Sequence, residues 1–370
     1  MPAARHFHDL PIRRVTPEAA RAVALTFTVP PELREVFAFE PGQFLTLRAD
    51  IDGQQQRRSY SICSSRARYA DAGELDIAIK PVEGGVFSNW AATNLRAGDQ
   101  ISVMPPDGRF TPRLPGAMHR VGFAAGSGIT PLLSIIASTL AADPDSRFTL
   151  VYSNQRVGTI MFHEALQDLK DKYPARLTLI HLLSRQPQEV ALFNGRLDAA
   201  KVGELLATVL PADSIDEAFI CGPEGMIDAT QAALQAAGIE PARIHAERFF
   251  SAGATTLQRP APQTAPAAAT STAPTPGQDF ELDVVMDGKT HRFGMQDTDT
   301  VLDIALEGGL DLPYSCKGGV CCTCRAKVLE GRVEMARNFT LEPWEIDKGF
   351  VLTCQARPLT PRVVVSYDER

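Results

Sequence analysis

Between Arg120 and Phe249 the apolar runs VGFAA, FTLVYS, LTLIHLLS, AFICGP and IHAERF are separated by segments whose apolar residues recur at helical spacing, such as TIMFHEALQDLKDKY, LDAAKVGELLATVL and EGMIDATQAALQAAG. Continuous apolar strands between amphipathic helices predict a doubly wound parallel α/β sheet, because a strand buried on both faces has no polar side to alternate. Residues 1–113 carry a different pattern. Their runs are shorter and alternate, as in FLTLRADI, RRSYSICSS, ELDIAIK and DQISVMPP, and Gly, Pro and Asp stand between them. That pattern predicts an antiparallel β-barrel. The chain shows no internal repeat.

Residues 251–278 read SAGATTLQRPAPQTAPAAATSTAPTPGQ, with Arg259 as the one charged residue and almost no large apolar side chain. This composition predicts a flexible linker spanning on the order of 30 Å as a coil. The expected organisation is therefore a barrel over 1–113, an α/β nucleotide-binding domain over 114–250, the linker over 251–278 and a third domain over 279–370.

The third domain contains LPYSCKGGVCCTC, in which Cys316, Cys321 and Cys324 follow C-x4-C-x2-C spacing, and Cys354 stands thirty residues further on. Two sulfide-bridged irons need four thiolates, three from one tight loop and one from elsewhere in the fold, so this is the spacing of a plant-type [2Fe-2S] cluster. Gly318 and Gly319 let the backbone approach the inorganic sulfides. A structural zinc site is the alternative, although zinc ribbons favour two separated C-x2-C pairs; a disulfide suits an intracellular chain poorly.

Charge and composition narrow the setting. The formal net charge is −7, and from Gln278 onward there are 16 acidic and 11 basic residues. Nucleic acid is not an expected partner, whereas a basic protein surface docking on the acidic third domain is. The first residues lack the apolar core of a signal peptide, and the longest uncharged stretch, 122–142, is broken by Gly126, Gly128 and Pro131. A cytoplasmic protein that does not span a membrane is expected.

In Gly126-Ser127-Gly128-Ile129-Thr130-Pro131 two glycines close a strand, Thr130 is placed to cap the next helix, and Pro131 opens it. Free N–H groups there would face a pyrophosphate. Proline stands where G-x-G-x-x-G would place its third glycine. Arg58-Ser59-Tyr60-Ser61 and, at a helix start, Gly85-Val86-Phe87-Ser88 add a cation, an aromatic platform, hydroxyls and free amides suited to a flavin dinucleotide. With Cys221-Gly222-Pro223 following in order, these motifs resemble the ferredoxin–NADP reductase family, here with a plant-type ferredoxin domain behind the linker. The likeness extends from the first strand to the last and is densest in LPYSCKGGVCCTC and FVLTCQARPLT.

The resemblance implies a β-grasp fold for the third domain and a role for each matching residue. Tyr60 would stack on the isoalloxazine of FAD, Arg58, Gly85 and Ser88 would hold its pyrophosphate, and Ser61 would hydrogen-bond near N5. Gly126, Gly128 and Thr130 would hold the nicotinamide nucleotide. Cys221 and Glu247 would lie beside the nicotinamide ring, and Phe249 would close over the flavin, with the adjacent Phe250 left as an alternative. Cys221 as a buried strand cysteine and Phe249 as a core aromatic stay open too. NAD enzymes place an acid after the second strand for the ribose hydroxyls; here stand Ser153, Asn154, Gln155 and Arg156. With Ser184-Arg185 similar to the family's 2′-phosphate pocket, NADPH is the expected donor.

The implied activity is transfer of electrons from NADPH through FAD and the [2Fe-2S] cluster to a separate oxygenase, by resemblance a di-iron epoxidase acting on phenylacetyl-CoA. The rivals are a reductase serving an oxygenase of aromatic rings and, in another class, a redox-sensing carrier without turnover.

Overall fold

The computed structural model describes residues 6–249, 263–264 and 280–369, which fall into two compact units, Met1–Ser251 and Ala252–Arg370. The first unit opens with β1 (His8–Pro17), β2 (Val23–Thr28), β3 (Phe44–Ile51), β4 (Gln54–Ser61), α1 (Arg66–Ala72), β5 (Glu74–Ile79), α2 (Val86–Asn94) and β6 (Gln100–Val103). Its six strands lie in the order β4-β3-β6-β1-β2-β5, with every paired strand antiparallel. An antiparallel bridge from Ile62 to Ile77 joins the two outer strands, so the sheet closes as the alternation predicts. Leu45, Leu47, Ile77 and Ile79 point inward with Phe27 and with Phe87 of α2. Strand β4 begins at the polar run Gln54-Gln55-Gln56, ahead of RRSYS, because Asp52 (φ 56°) and Gly53 (φ 74°) form a tight hairpin turn that pairs Ile51 with Gln54.

There follow β7 (His119–Ala125), α3 (Ile129–Ala142), β8 (Arg147–Asn154), α4 (His163–Lys172), β9 (Leu177–Leu183), α5 (Ala199–Thr208), β10 (Glu217–Gly222), α6 (Glu224–Ala236) and β11 (Ile244–Arg248). The strands form the parallel sheet β11-β10-β7-β8-β9. Its order reverses at β7, which places a crevice beyond the strand ends between β7 and β10.

Helix α3 is apolar around almost its whole circumference, so both of its sides must be covered. One side packs on Phe148, Leu150 and Phe219 of the sheet, and the same buried cluster takes in Cys63, Ala78 and Phe110 from the barrel. Polar contacts follow the same seam. Ser134 Oγ donates to the carbonyl of Ser64 at 2.7 Å, Arg66 N donates to Ser138 Oγ at 3.1 Å, and Glu18 Oε2 accepts from Phe162 N at 3.0 Å. Barrel and sheet therefore share one core and make one unit. At the opposite end of β10, buried Glu217 accepts from Arg120 Nε, Arg113 N and His245 Nε2, each at 2.8 Å. Burial opposes its charge, yet these donors hold the carboxyl below its ordinary range.

The second unit contains β12 (Gln263–Thr264), β13 (Phe280–Met286), β14 (Lys289–Met295), α7 (Val301–Glu307), β15 (Arg325–Glu330), β16 (Val333–Met335), α8 (Pro343–Asp347), β17 (Phe350–Leu352), β18 (Ala356–Pro358) and β19 (Arg362–Ser366). Its main sheet runs β14-β13-β19-β15-β17, with β13 and β19 parallel and the other neighbours antiparallel, and a small sheet β12-β16-β18 lies apart from it. This mixed sheet with α7 packed into its core is the expected β-grasp arrangement. Apart from Gln263–Thr264, which pair with Met335 and Glu334, the linker expected over 251–278 lies outside the described residues.

Candidate redox sites

The crevice of the first unit gathers residues far apart in sequence. Ser61 ends β4, and its Oγ donates to Glu247 Oε2 of β11 at 3.0 Å. Cys221 lies opposite Glu247 in the parallel register of β10 and β11. Burial pushes the Glu247 carboxyl up to about 8, and the Ser61 hydroxyl only partly opposes it. Burial and the neighbouring Glu247 likewise push the Cys221 thiol up. Both groups are thus mainly protonated near neutral pH, and the Ser61–Glu247 hydrogen bond ties barrel to sheet.

On the barrel side, Tyr60 lies 5.9 Å from Phe87 between ring centroids, and burial raises its phenol despite the opposing Arg58. Arg58 turns its Nη1 to the carbonyl of Arg57 at 2.7 Å. Gly85 is the N-cap of α2, and no side chain caps that helix, so its first N–H groups are open to an anion. A Cβ on Gly85 would meet Ser88 Oγ and Val82 Cγ2 at 2.6 Å each, so a larger residue there would have to turn both side chains aside. Ser88 is buried, and its Oγ accepts from Val82 N at 3.3 Å.

The nucleotide loop departs from its expected form. A 3₁₀ turn over Gly126–Gly128 leads into α3 at Ile129, two residues before Pro131. Thr130 is consequently inside the first turn and buried, donating to the carbonyl of Ser127 at 3.0 Å, and it does not cap the helix. Gly128 serves close packing: a Cβ there would collide with the carbonyl of Cys221. It does at the helix–strand contact what the absent third glycine of G-x-G-x-x-G would do. Gly126 takes φ 54°, and its carbonyl accepts from Tyr152 Oη at 2.8 Å. No side chain caps the helix, but Ile129 already spends its N–H on the carbonyls of Gly126 and Ser127 and Pro131 has none, so Thr130 is the only one of the first three helix residues with an N–H left to offer a phosphate.

Arg156 and Arg185 are exposed beyond the ends of β8 and β9. Ser184 N and Arg185 N donate to the carbonyls of Asn154 and Gln155 at 3.0 and 2.9 Å, so the two loops run side by side and bring both arginines to one edge of the sheet. Phe249 is 41% exposed just past Glu247; Phe250 lies outside the described residues.

In the second unit the cysteines come together in pairs. Cys316 is hydrogen-bonded with Cys321, and Cys324 with Cys354. The bond from Cys321 and backbone N–H groups of Gly318, Val320 and Cys321 pull the Cys316 thiol down to about 6. Among the described residues, no three His, Cys, Asp or Glu side chains converge as a single metal ion requires. The two neighbouring thiol pairs offer four sulfur donors, the number a [2Fe-2S] cluster takes. Lys317 (φ 49°), Gly319 (φ 81°) and Cys322 (φ 60°) take left-handed conformations that coil the loop around this point.

Comparison with known proteins accounts for the whole arrangement. Residues 13–111 match an oxidoreductase FAD-binding domain, 123–232 an oxidoreductase NAD-binding domain and 284–359 a 2Fe-2S iron-sulfur cluster binding domain. The chain is 44% identical over 98% of its length, and 98% of the relative, to a component polypeptide of the 1,2-phenylacetyl-CoA epoxidase of Escherichia coli (strain K12). It belongs to the ferredoxin–NADP reductase family of oxygenase reductase components. The ferredoxin reductase component of 3-ketosteroid-9-alpha-monooxygenase from Rhodococcus rhodochrous is a further member, 35% identical over 97% of this chain and 96% of that one. Phthalate dioxygenase reductase shares the fold, with a TM-score of 0.60 at 20% identity and coverage of 97% and 98%.

This oxygenase reductase also contains site residues that its motifs did not reveal. Lys80, at the end of the ELDIAIK strand, brings its Nζ within 3.6 Å of where a Cβ on Gly126 would stand. A lone lysine closing an apolar strand was the only signal of this cation beside the Gly126 turn. Tyr152, near the end of the FTLVYS strand, is fully buried with its hydroxyl on the carbonyl of Gly126. Among the described residues no helix is long and apolar enough to cross a membrane.

Proposed function

We propose that this oxygenase reductase draws its electrons from NADPH and delivers them to a di-iron epoxidase acting on phenylacetyl-CoA. The observation that carries the reading is the bridge from Ser61 to Glu247 beside Cys221, which sets a flavin-side hydroxyl against the nucleotide-side carboxyl and thiol in one crevice. The 44% identity to a component of the phenylacetyl-CoA epoxidase favours that acceptor over an oxygenase of aromatic rings. Bound flavin turns the electron pair of a hydride into single electrons, and a [2Fe-2S] cluster carries them singly.

The protein's part is binding, orientation and exclusion of water. Tyr60 offers a ring face to the isoalloxazine, Arg58, Gly85 and Ser88 hold the FAD pyrophosphate, and Ser61 positions a hydroxyl near N5. Gly126, Gly128, Thr130 and Lys80 form the nicotinamide-nucleotide loop, and Glu247 and Cys221 line the ring site as neutral groups, with Phe249 covering the flavin. Cys316 and Cys321 would ligate one iron, Cys324 and Cys354 the other. Arg156 and Arg185, with Ser184, favour a 2′-phosphate, each charge-assisted hydrogen bond contributing roughly 1.5–3 kcal/mol.

Purified reductase mixed with the phenylacetyl-CoA epoxidase oxygenase should consume NADPH in step with product, and a ring-hydroxylating oxygenase should not replace it. Arg156→Ala and Arg185→Ala should raise KM for NADPH about tenfold or more, with little change for NADH. Equal use of both nucleotides by the unaltered protein rejects the NADPH assignment. Coupling only to another oxygenase rejects the acceptor.

A further inference from the structure

The segment carrying Cys354 does more than deliver a fourth thiol. Thr353 and Gln355 flank it, and each grips a different part of the ligand run. The Thr353 hydroxyl and N–H both donate to the carbonyl of Cys324, at 2.8 and 3.1 Å. Gln355 reaches the other end: its Nε2 donates to the carbonyl of Lys317 at 2.9 Å and to that of Cys354 at 2.9 Å, and lies 3.5 Å from Cys354 Sγ. Three acceptors around this atom determine which end of the carboxamide carries the hydrogens. A flipped amide would turn its oxygen toward two carbonyl oxygens and a cysteine sulfur.

Gln355 is only 8% exposed, and its backbone is pinned by bonds from Gln355 N to Leu352 O at 2.8 Å and from Ala336 N to Gln355 O at 3.1 Å. Lys317 takes φ 49°, unusual for a residue with a side chain, and this peptide turn presents its carbonyl to Gln355. Its side chain is held separately by Asp303 Oδ1 at 2.7 Å. A buried polar amide with every donor spent on the ligand segments is costly unless those bonds are made.

We infer that Gln355 is a positioning residue for the iron–sulfur site: its carboxamide locks the Cys316–Cys321 loop onto the Cys354 segment and shares one N–H between the Cys354 carbonyl and the Cys354 sulfur. The inference rests on the ligand set proposed above. One-electron reduction adds a negative charge to the cluster, and an N–H directed at a ligand sulfur favours the reduced state. The bond thus raises the reduction potential, while the clamp slows loss of iron.

Gln355→Leu keeps the approximate volume and removes both donors. In the full-length protein, a potentiometric titration followed by the electron paramagnetic resonance signal of the reduced cluster should move to more negative potential. At a fixed potential the ratio of reduced to oxidised cluster should fall several-fold, a tenfold fall corresponding to about 59 mV for a one-electron couple. Cluster loss to a ferrous chelator should be several-fold faster. Unchanged potential and loss rate would overturn the inference.

Gln355→Glu sets an oxygen where the donor stood and should show both effects more strongly; behaviour like the parent overturns the proposal as well. If neither variant holds a cluster, thermal unfolding of the apo-proteins decides. Melting like the parent apo-protein supports a ligand-positioning role, and collapse of the fold reduces Gln355 to a core residue and overturns it. Retention of the parent cluster in Cys354→Ala would instead refute the ligand set, so the two failures are distinct.

Discussion

Glu247 makes the stability of the first unit depend on pH. Its carboxyl is raised from 4.5 to about 8, so between those values the folded state binds more protons than the unfolded chain. Stability is then greatest below the unfolded value and falls as pH rises through the folded one. Thermal unfolding of the cofactor-free protein should show a lower midpoint at about pH 8.5 than at about pH 5.5, and Glu247→Gln should flatten that difference. A second expectation concerns Cys322, which is buried at φ 60° next to Cys321 and stands outside the C-x4-C-x2-C spacing. Cys322→Ala should retain the visible absorption of the cluster, whereas Cys321→Ala and Cys354→Ala should abolish it. At this scale the cysteine run was legible because a cluster loop is a local spacing. The grip of Gln355 was not, since nothing in TCQAR says which carbonyl its amide will meet.

At the scale of elements, the N-terminus of α3 touches β10 so closely that a single methyl group has nowhere to go. A Cβ at Gly128 meets the carbonyl of Cys221 and, at 3.0 Å, the N of Gly222, both backbone atoms that cannot rotate away. Gly128→Ala should cost about 1–3 kcal/mol and move the helix start away from the nucleotide. Steady-state kinetics should show a higher KM for NADPH with FAD content preserved, and urea unfolding should show the lower stability. The helix itself was legible in the apolar run after Pro131, and the parallel sheet in five unbroken apolar strands. The start of α3 was misplaced because Thr130 and Pro131 look like a cap and a first residue. In the fold a 3₁₀ turn over Gly126–Gly128 has already begun the winding, and Thr130 turns its hydroxyl inward.

For the whole molecule, the chain divides into its two compact units after Ser251, and a chain ending there should keep the entire core shared by barrel and sheet. It should bind FAD and reduce ferricyanide with NADPH, yet fail with cytochrome c or an oxygenase that needs the cluster; undiminished one-electron delivery would remove the second unit from the path. The acid excess after Gln278, 16 acidic against 11 basic residues, should guide docking on a basic oxygenase surface. Coupled turnover should therefore fall as salt rises and the Debye length shortens to about 8 Å near 0.15 M, while ferricyanide reduction changes less. Asp311→Lys or Glu334→Lys should reproduce the loss at low salt. Turnover indifferent to salt and charge reversal would point to apolar docking. By itself the sequence determined the main element types and the order of the FAD-binding, NAD-binding and 2Fe-2S domains, because periodicity and short spacings are carried by neighbouring residues. Only the tertiary structure decided that Ser61 meets Glu247, that Lys80 approaches Gly126 and that Gln355 spans two ligand segments. Those contacts join segments far apart along the chain, and their geometry follows from how each unit closes around its own core, which no local pattern encodes.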